Sequence, residues 1–552
     1  MSIRALLYLR PAAIALWAGL ILALAGCAAP GPLPADAEGQ LFTRGLDEIA
    51  DLYIQPISSS RLALSAITRL SRLDGELGVK DSIATGVSGA LALSYGGRDI
   101  GLYAMPDDTN SRLWGELVAK LIATAKQASP RLAALSQDTI DQTVFDGMTA
   151  ALDRFSHYSA PKVARDQRAA RDGFGGIGVT LDTTSDMFRV TAVAPHGPAD
   201  RAGIRPEDQI VAIDGVAIVG RSHEAVIHLL RGPVGSAVAV SVLHPGAAEP
   251  GDLRLHRELV IVPTVTTSRD GDIAVFHIAS FNRSTTQRIR EGLAEVQRQT
   301  GGRLAGIVLD LRDSPGGLLD QAVSLTDLFI HDGPIVSTVG RHPASRQYFA
   351  ASGAGIAPRT PLAVLINGSS ASAAEIVAAA LQDSGRAVVV GSSSYGKGTV
   401  QTVLRLPNDG ELTLTWARLV TPSGYLLQTH GVVPTLCTTD LGDDERSLEI
   451  GLQRVSAVSV AGPSARPRAA LDEPAWSELR RLCPARRTTP VIDLKLAERV
   501  LADPKLYSEA LHALAGATHV SERAPAGGRP EPVLTPEPAL TDLNRALSFR
   551  SH

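Results

Sequence analysis

The chain has 552 residues, 44% of them hydrophobic and only 4% aromatic, with a formal net charge of −4. That length accommodates about three or four domains. The near-neutral balance excludes a basic nucleic-acid stripe and an acidic tail, so no nucleic-acid partner is expected. Lysine is scarce: seven Lys accompany 46 Arg, and Lys397 is the only one between Lys162 and Lys495. Where chemistry needs a deprotonatable amine, Arg cannot serve, because its guanidinium stays charged at any working pH.

Arg4 and Arg10 flank an apolar run from Pro11 to Ala25, too short to span a membrane comfortably. It ends Leu24-Ala25-Gly26-Cys27, which resembles a bacterial lipobox. The resemblance implies a lipoprotein-type signal peptide over 1–26, cleavage before Cys27 and acylation of its thiol. The expectation is an exported lipoprotein anchored at Cys27 and facing the periplasm. Ala28, where inner-membrane retention uses Asp, favours the outer membrane of a Gram-negative host. Residues 27–39 read as a flexible tether.

Residues 40–165 form a mainly helical N-terminal region. Leu41, Phe42, Leu46, Ile49, Leu52 and Tyr53 recur at three- and four-residue steps. Between 75 and 105, Gly-rich and β-like pieces interrupt the helices without indicating a function. Helical signal returns over 111–153 and leads into Asp153-Arg154-Phe155-Ser156-His157-Tyr158. His157 reads as a packing or turn residue.

Residues 172–262 resemble a PDZ domain, carried by Gly173-Phe174-Gly175-Gly176-Ile177-Gly178-Val179 and by Gly197 to Ile204 followed by Asp208 to Gly215. An Asp-Gly pair sets a hairpin, Glu207 stands where Gly is usual, and Ser222 caps a groove helix over 222–230. Such a module adds an extended peptide to a sheet edge and captures its terminal carboxylate. Phe174, Gly176, Ile177, Gly178 and Val179 are the groove candidates; ordinary strand packing is the alternative for the apolar three. Gly173, Gly175 and Gly178 also spell a dinucleotide fingerprint, but no strand precedes and no helix follows. His223 and His228 lie five residues apart, on different helix faces, so no metal is expected.

Residues 264–435 alternate strand and helix signals, an α/β layer. Gly306–Leu311 is a buried strand ending Arg312-Asp313-Ser314-Pro315-Gly316-Gly317. Pro361–Ile366 is another, followed by Asn367-Gly368-Ser369-Ser370-Ala371-Ser372-Ala373-Ala374-Glu375, a helix, a β-branched run and Gly396-Lys397-Gly398. A Ser on a tight strand-to-helix turn, with a lone Lys after the next strand, outlines a Ser/Lys hydrolase. The stretch 367–401 resembles the C-terminal processing peptidases (tail-specific proteases). By that resemblance Ser372 is the nucleophile, Lys397 the general base and Gln401 its assistant. The amides of Gly316 or Gly317 and of Ala373 are the oxyanion donors. Ala374 replaces a common Ser at a non-catalytic position. Asp310, Arg312 and Glu375 match polar family positions and read best as an ion-pair scaffold. The hexapeptide 153–158 resembles the element closing the family's N-terminal region.

The fold expected is therefore multi-domain α/β: helical region, PDZ domain, and a catalytic core of the ClpP/crotonase-like type implied by the resemblance. Residues 436–552 form an extension with a linker over 461–474, a helix over 493–515 and a Pro-rich, disordered tail. Cys437 and Cys483 can pair in an oxidising compartment or remain free thiols. The function expected is an exported serine endopeptidase without a cofactor. It cleaves proteins near unstructured C-termini, with the PDZ domain recruiting the tail or gating the site and an adaptor protein as a further partner. A catalytically silent PDZ adaptor on a peptidase fold is the alternative.

Overall fold

A computed structural model of the chain describes residues 35–80, 89–184, 187–353, 355–460 and 471–518. Cys27, the signal peptide and the Pro-rich tail lie outside the described residues. Helix α1 (Ala35–Leu52) begins inside the stretch expected to be tether. It packs with α2 (Ser59–Arg69), α3 (Ser111–Ala128) and α4 (Gln137–Thr149) around Phe42, Trp114 and Phe145. The glycine-rich interruption is an antiparallel sheet of β1 (Leu77–Lys80), β2 (Ala90–Tyr95) and β3 (Arg98–Ala104). Leu91 and Leu93 join the same core.

Helix α5 (Pro161–Asp172) leads into the PDZ region, where β4 (Phe174–Gly176) is followed by β5 (Val179–Thr184), β6 (Met187–Val193) and β7 (Gln209–Ile213). Next come α6 (His223–Leu230), β8 (Ala237–Leu243), β9 (Gly251–His256) and β10 (Glu258–Val260). Strands β9, β8, β7, β6 and β5 lie in that order in one sheet, and β10 pairs with β4. Ser222 caps α6 by accepting from the Ala225 amide. Asp214 and Gly215 both take positive φ, as an Asn/Asp-Gly hairpin demands. Glu207 also sits at φ 75°, a left-handed position where Gly would be unstrained.

The core sheet runs β11 (Val265–Asp270), β12 (Ile273–Ile278), β13 (Gly306–Asp310), β16 (Leu362–Ile366), β17 (Val388–Gly391) and β20 (Leu436–Cys437). Only the β11–β12 pair is antiparallel. Strands β13, β16 and β17 are buried along their whole length, which explains their apolar runs, broken only by Asp310 at the end of β13: a parallel strand is covered on both faces. Helices α7 (Thr285–Gln299), α8 (Leu319–Asp327) and α9 (Ala373–Asp383) contribute to a core holding Phe276, Phe281 and Phe329. A second sheet has the order β15 (Gln347–Ala350), β14 (Pro334–Val339), β19 (Glu411–Val420) and β18 (Thr399–Arg405). Residues His157–Ser159 add to β19.

Strand β20 lies just past the expected core boundary at 435 and completes the sheet. Beyond it, α10 (Glu445–Val460), α11 (Glu473–Leu482), α12 (Val491–Ala502) and α13 (Pro504–Thr518) add four helices, two of which sequence periodicity did not reveal. The expected helix over 493–515 is broken at Asp503-Pro504, since Pro cannot continue the backbone ladder. Helix α11 begins within the expected linker. Cys437 and Cys483 form a disulfide across 46 residues. Closing a loop of that size stabilises by about 4 kcal/mol in the chain-entropy account. The double variant Cys437→Ser, Cys483→Ser is expected to unfold at a lower temperature than the oxidised protein. Thiol reduction should bring the wild type to the same midpoint, and equal midpoints before reduction contradict the staple.

Candidate active site

Three turns converge at the C-terminal ends of β13, β16 and β17, where open parallel sheets present their ligand crevice. The first is Arg312–Gly317 and the second Asn367–Ser372. Asn367 joins them, since its Oδ1 accepts from the Asp313 amide (3.0 Å) and its Nδ2 donates to Asp313 Oδ1 (2.9 Å). The Ala371 amide donates to the Ser314 carbonyl (2.9 Å) and Ser370 Oγ to the Leu311 carbonyl (2.8 Å). The third turn, Ser392–Lys397, follows β17.

Ser372 stands at the N-terminus of α9 with φ 55° and ψ −114°, a strained conformation for any residue with a Cβ. The Gly316 backbone crowds it: a methyl group there would lie 2.6 Å from the Ala371 carbonyl, 2.7 Å from the Ala373 nitrogen and 2.9 Å from Ser372 Cβ. Only glycine admits this approach. Gly317 has the same constraint, backing onto Phe281. Among the described residues, the amides of Gly316, Gly317 and Ala373 have no hydrogen-bond acceptor. All three residues line one cleft of about 630 Å³ together with Ser372, Lys397 and Gln401. Its apolar walls include Phe281, Leu319, Ile376 and Val403, and Arg171 reaches it from α5.

Glu375 links the second and third turns. Fully buried in the first turn of α9, it accepts from the Ser372 amide (2.9 Å) and the Lys397 amide (2.9 Å) on Oε2. On Oε1 it accepts from the Gly396 amide (2.7 Å) and from Ser394 Oγ. Burial pushes its carboxyl above the usual range, and the four donors oppose that rise. The expected ion-pair scaffold is correct only for Asp310 and Arg312, which pair in bidentate fashion and reach Asp493. Glu375 instead binds backbone, because the amides of both turns point at it.

The Lys397 amine lies 5.2 Å from the centre of the Phe155 ring. Among the described residues it makes no ion pair or side-chain hydrogen bond. Burial lowers its pKa from the ordinary 10.5, against the opposing fields of Glu375 and Asp153. Gln401 follows an irregularity in the β18–β19 register. Its Nε2 donates to the hydroxyls of Thr399 (2.9 Å) and Thr415 (3.3 Å), and no hydrogen bond joins it to Lys397. Thr415 in turn donates to Asp153 (3.1 Å).

The remaining expectations fall elsewhere. His157 is exposed on a strand edge, with Nδ1 against the Phe155 carbonyl. Phe174 lies in β4 with its ring face covered by the Arg231 guanidinium at 3.9 Å. Ile177 is buried in the PDZ core, with Val179 packed against it; Gly176 is buried, and Gly178 takes positive φ beside the start of β5. Phe155 and Asp153 carry no individual sequence signal beyond the hexapeptide 153–158. Arg480, which hydrogen-bonds the third turn, carried no sequence signal.

The family model for Peptidase family S41 matches residues 272–437, and a PDZ domain model matches 189–243. A carboxy-terminal-processing protease of Bartonella bacilliformis is 37% identical over 297 residues, covering 53% of this chain and 68% of the relative. A CtpA-like serine protease of Staphylococcus aureus is 30% identical over 333 residues, covering 57% and 66%. Among solved structures, a photosystem II D1 C-terminal processing protease shares 27% identity over 68% of this chain and 92% of its own, at a TM-score of 0.33.

Glu375→Gln turns one acceptor oxygen into a donor facing two donors. A buried polar group left unpaired costs about 1–3 kcal/mol. The variant is expected to melt at a lower temperature and to exchange amide hydrogens faster over residues 394–398. Unchanged exchange there contradicts the linking role.

Proposed function

The chain belongs to peptidase family S41, serine peptidases of the carboxy-terminal-processing type, and on that premise we propose that Ser372 is its nucleophile and Lys397 its general base. The observation that carries this reading is the Lys397 amine: partly buried, without a paired acid, and on the same cleft as a strained Ser372. A Ser hydroxyl needs an adjacent base, and desolvation supplies one by disfavouring the ammonium. The neutral amine takes the Ser372 proton as Oγ attacks the scissile carbonyl. The free amides of Gly316 or Gly317 and of Ala373 stabilise the oxyanion. The resulting ammonium protonates the leaving amine, and water then releases the acyl group by the same route. Gln401 lines the same cleft with its nitrogen held by Thr399 and Thr415, and its role as assistant to Lys397 rests on the family resemblance.

The PDZ domain binds the unstructured C-terminus of a protein substrate at the Gly176–Val179 loop and the edge of β5, delivering the tail to the cleft. The apolar walls suit an apolar chain segment. Export and acylation at Cys27, with attachment to the outer membrane on its periplasmic side, complete the reading. The Cys437–Cys483 disulfide supports an oxidising compartment. Family membership removes the ground for a silent adaptor.

An unfolded reporter with an apolar C-terminal tail is expected to be cleaved by the wild type faster than one with a charged tail. Ser372→Ala and Lys397→Arg should each reduce cleavage by about 10³-fold or more; activity surviving in both variants overturns the dyad. Because the neutral amine is the active form and burial depresses its pKa, the rate should rise with pH through a midpoint below 10.5. A midpoint at the ordinary lysine value contradicts a desolvated base.

A further inference from the structure

The segment after α11 runs behind all three turns of the cleft. The Cys483 carbonyl accepts from Ser393 Oγ (2.6 Å), and the Arg486 carbonyl from the Gly368 amide (2.6 Å) and Ser392 Oγ (3.3 Å). The Thr488 carbonyl accepts from Asn367 Nδ2 (3.3 Å) and the Pro490 carbonyl from Arg312 (2.8 Å). The segment is anchored by the disulfide to β20, and the helix before it by buried Trp476, whose ring stacks on His430 at 4.7 Å. All of it lies beyond residues 272–437, the span matched by the peptidase family model.

Arg480 points from α11 toward the third turn. Its guanidinium donates to the Ser394 carbonyl (3.1 Å) and to the His430 carbonyl. Across Gly431 it faces the buried carboxylate: a methyl group on Gly431 would be 3.0 Å from Arg480 Nη1 and 3.1 Å from Glu375 Oε1. The two groups therefore lie within about 6 Å of each other. That distance matters because Glu375 is also bonded to the Lys397 amide, and its negative field favours the lysine ammonium. A base that must be neutral beside a buried carboxylate needs a second cation to offset that carboxylate.

We infer that Arg480 is a positioning residue: it fixes the backbone that carries Lys397 and offsets the Glu375 charge, keeping the Lys397 amine available as a base. The inference rests on the Ser372–Lys397 reading above. The other charged groups facing this region are Asp153 and Arg154, from the segment preceding β19's partner strand, and Arg171, from α5. His430 lies on the far side of Gly431, bonded to Glu473. None of these but Arg480 is a cation facing the Glu375 carboxylate across Gly431.

The test uses the full chain and the apolar-tailed reporter, with kcat and KM measured across pH for the wild type, Arg480→Met, Arg480→Lys and Arg481→Met. Arg481 sits one residue on, exposed and paired with Glu478, and serves as the control. Arg480→Met is expected to move the midpoint of the kcat rise upward by about one unit, a tenfold loss on the acidic side. KM should be unchanged, and kcat should approach the wild-type value at the alkaline plateau. Arg480→Lys, which keeps the charge, should hold its midpoint near that of the wild type, and Arg481→Met should match the wild type throughout. An unmoved midpoint in Arg480→Met overturns the inference, even where kcat falls uniformly, since a merely structural role lowers the active fraction at every pH. A wild type that cleaves with no lysine-dependent rise overturns the dyad reading and this inference together.

Discussion

A fully buried carboxylate, Glu375, holds four donors drawn from two separate turns, and the geometry of the cleft depends on that arrangement. Burying a charge costs several kcal/mol unless hydrogen bonds replace its hydration. Charge-assisted hydrogen bonds are about twice as strong as neutral ones, and here they come mainly from backbone amides that cannot rotate away. The same carboxylate therefore sets the distance between the Ser372 turn and the Lys397 turn. It also places a negative field beside the Lys397 amine, which the proposed mechanism requires to lose its proton. In the inference drawn above, Arg480 of the C-terminal segment answers that conflict with a cation facing the carboxylate across Gly431.

The sheet explains why the site forms at all. Three parallel strands end side by side and each passes into a turn, and in the first and third turns a glycine is sterically required, at Gly316 and Gly317 and at Gly396. Strain at Ser372 is sustained because neighbouring turns are bonded to one another through Asn367, Ser370 and Glu375. The N-terminal region contributes an apolar neighbour to the lysine: the Phe155 ring centre lies 5.2 Å from its amine.

Much of this was legible in the chain itself. The runs GIVL, LAVLI and VVV are uniformly apolar because parallel strands are covered twice, so strands could be read there, although not their order in the sheet. The Ser, Lys and Gly positions stood out through short motifs with mechanical reasons, and Gln401 through the family resemblance alone. The partners of Glu375 did not, because the direction in which backbone amides point is a property of turns and not of residue type. Arg480 is one arginine among 46, and nothing local distinguishes it. The helices of the extension were only partly visible, since their apolar residues answer to a sheet face hundreds of residues away in sequence. The tether expectation failed at Ala35, where helix formation precedes the first strong apolar position.

The most direct measurement is the titration of the Lys397 amine itself. With only seven lysines in the chain, selective ¹⁵N labelling of lysine side chains gives few resonances, and Lys397→Arg assigns the one that disappears. The account predicts that this resonance titrates well below the other six and that Arg480→Met moves it upward. A Lys397 signal titrating with the exposed lysines contradicts a desolvated base, and with it the chemistry assigned to the cleft.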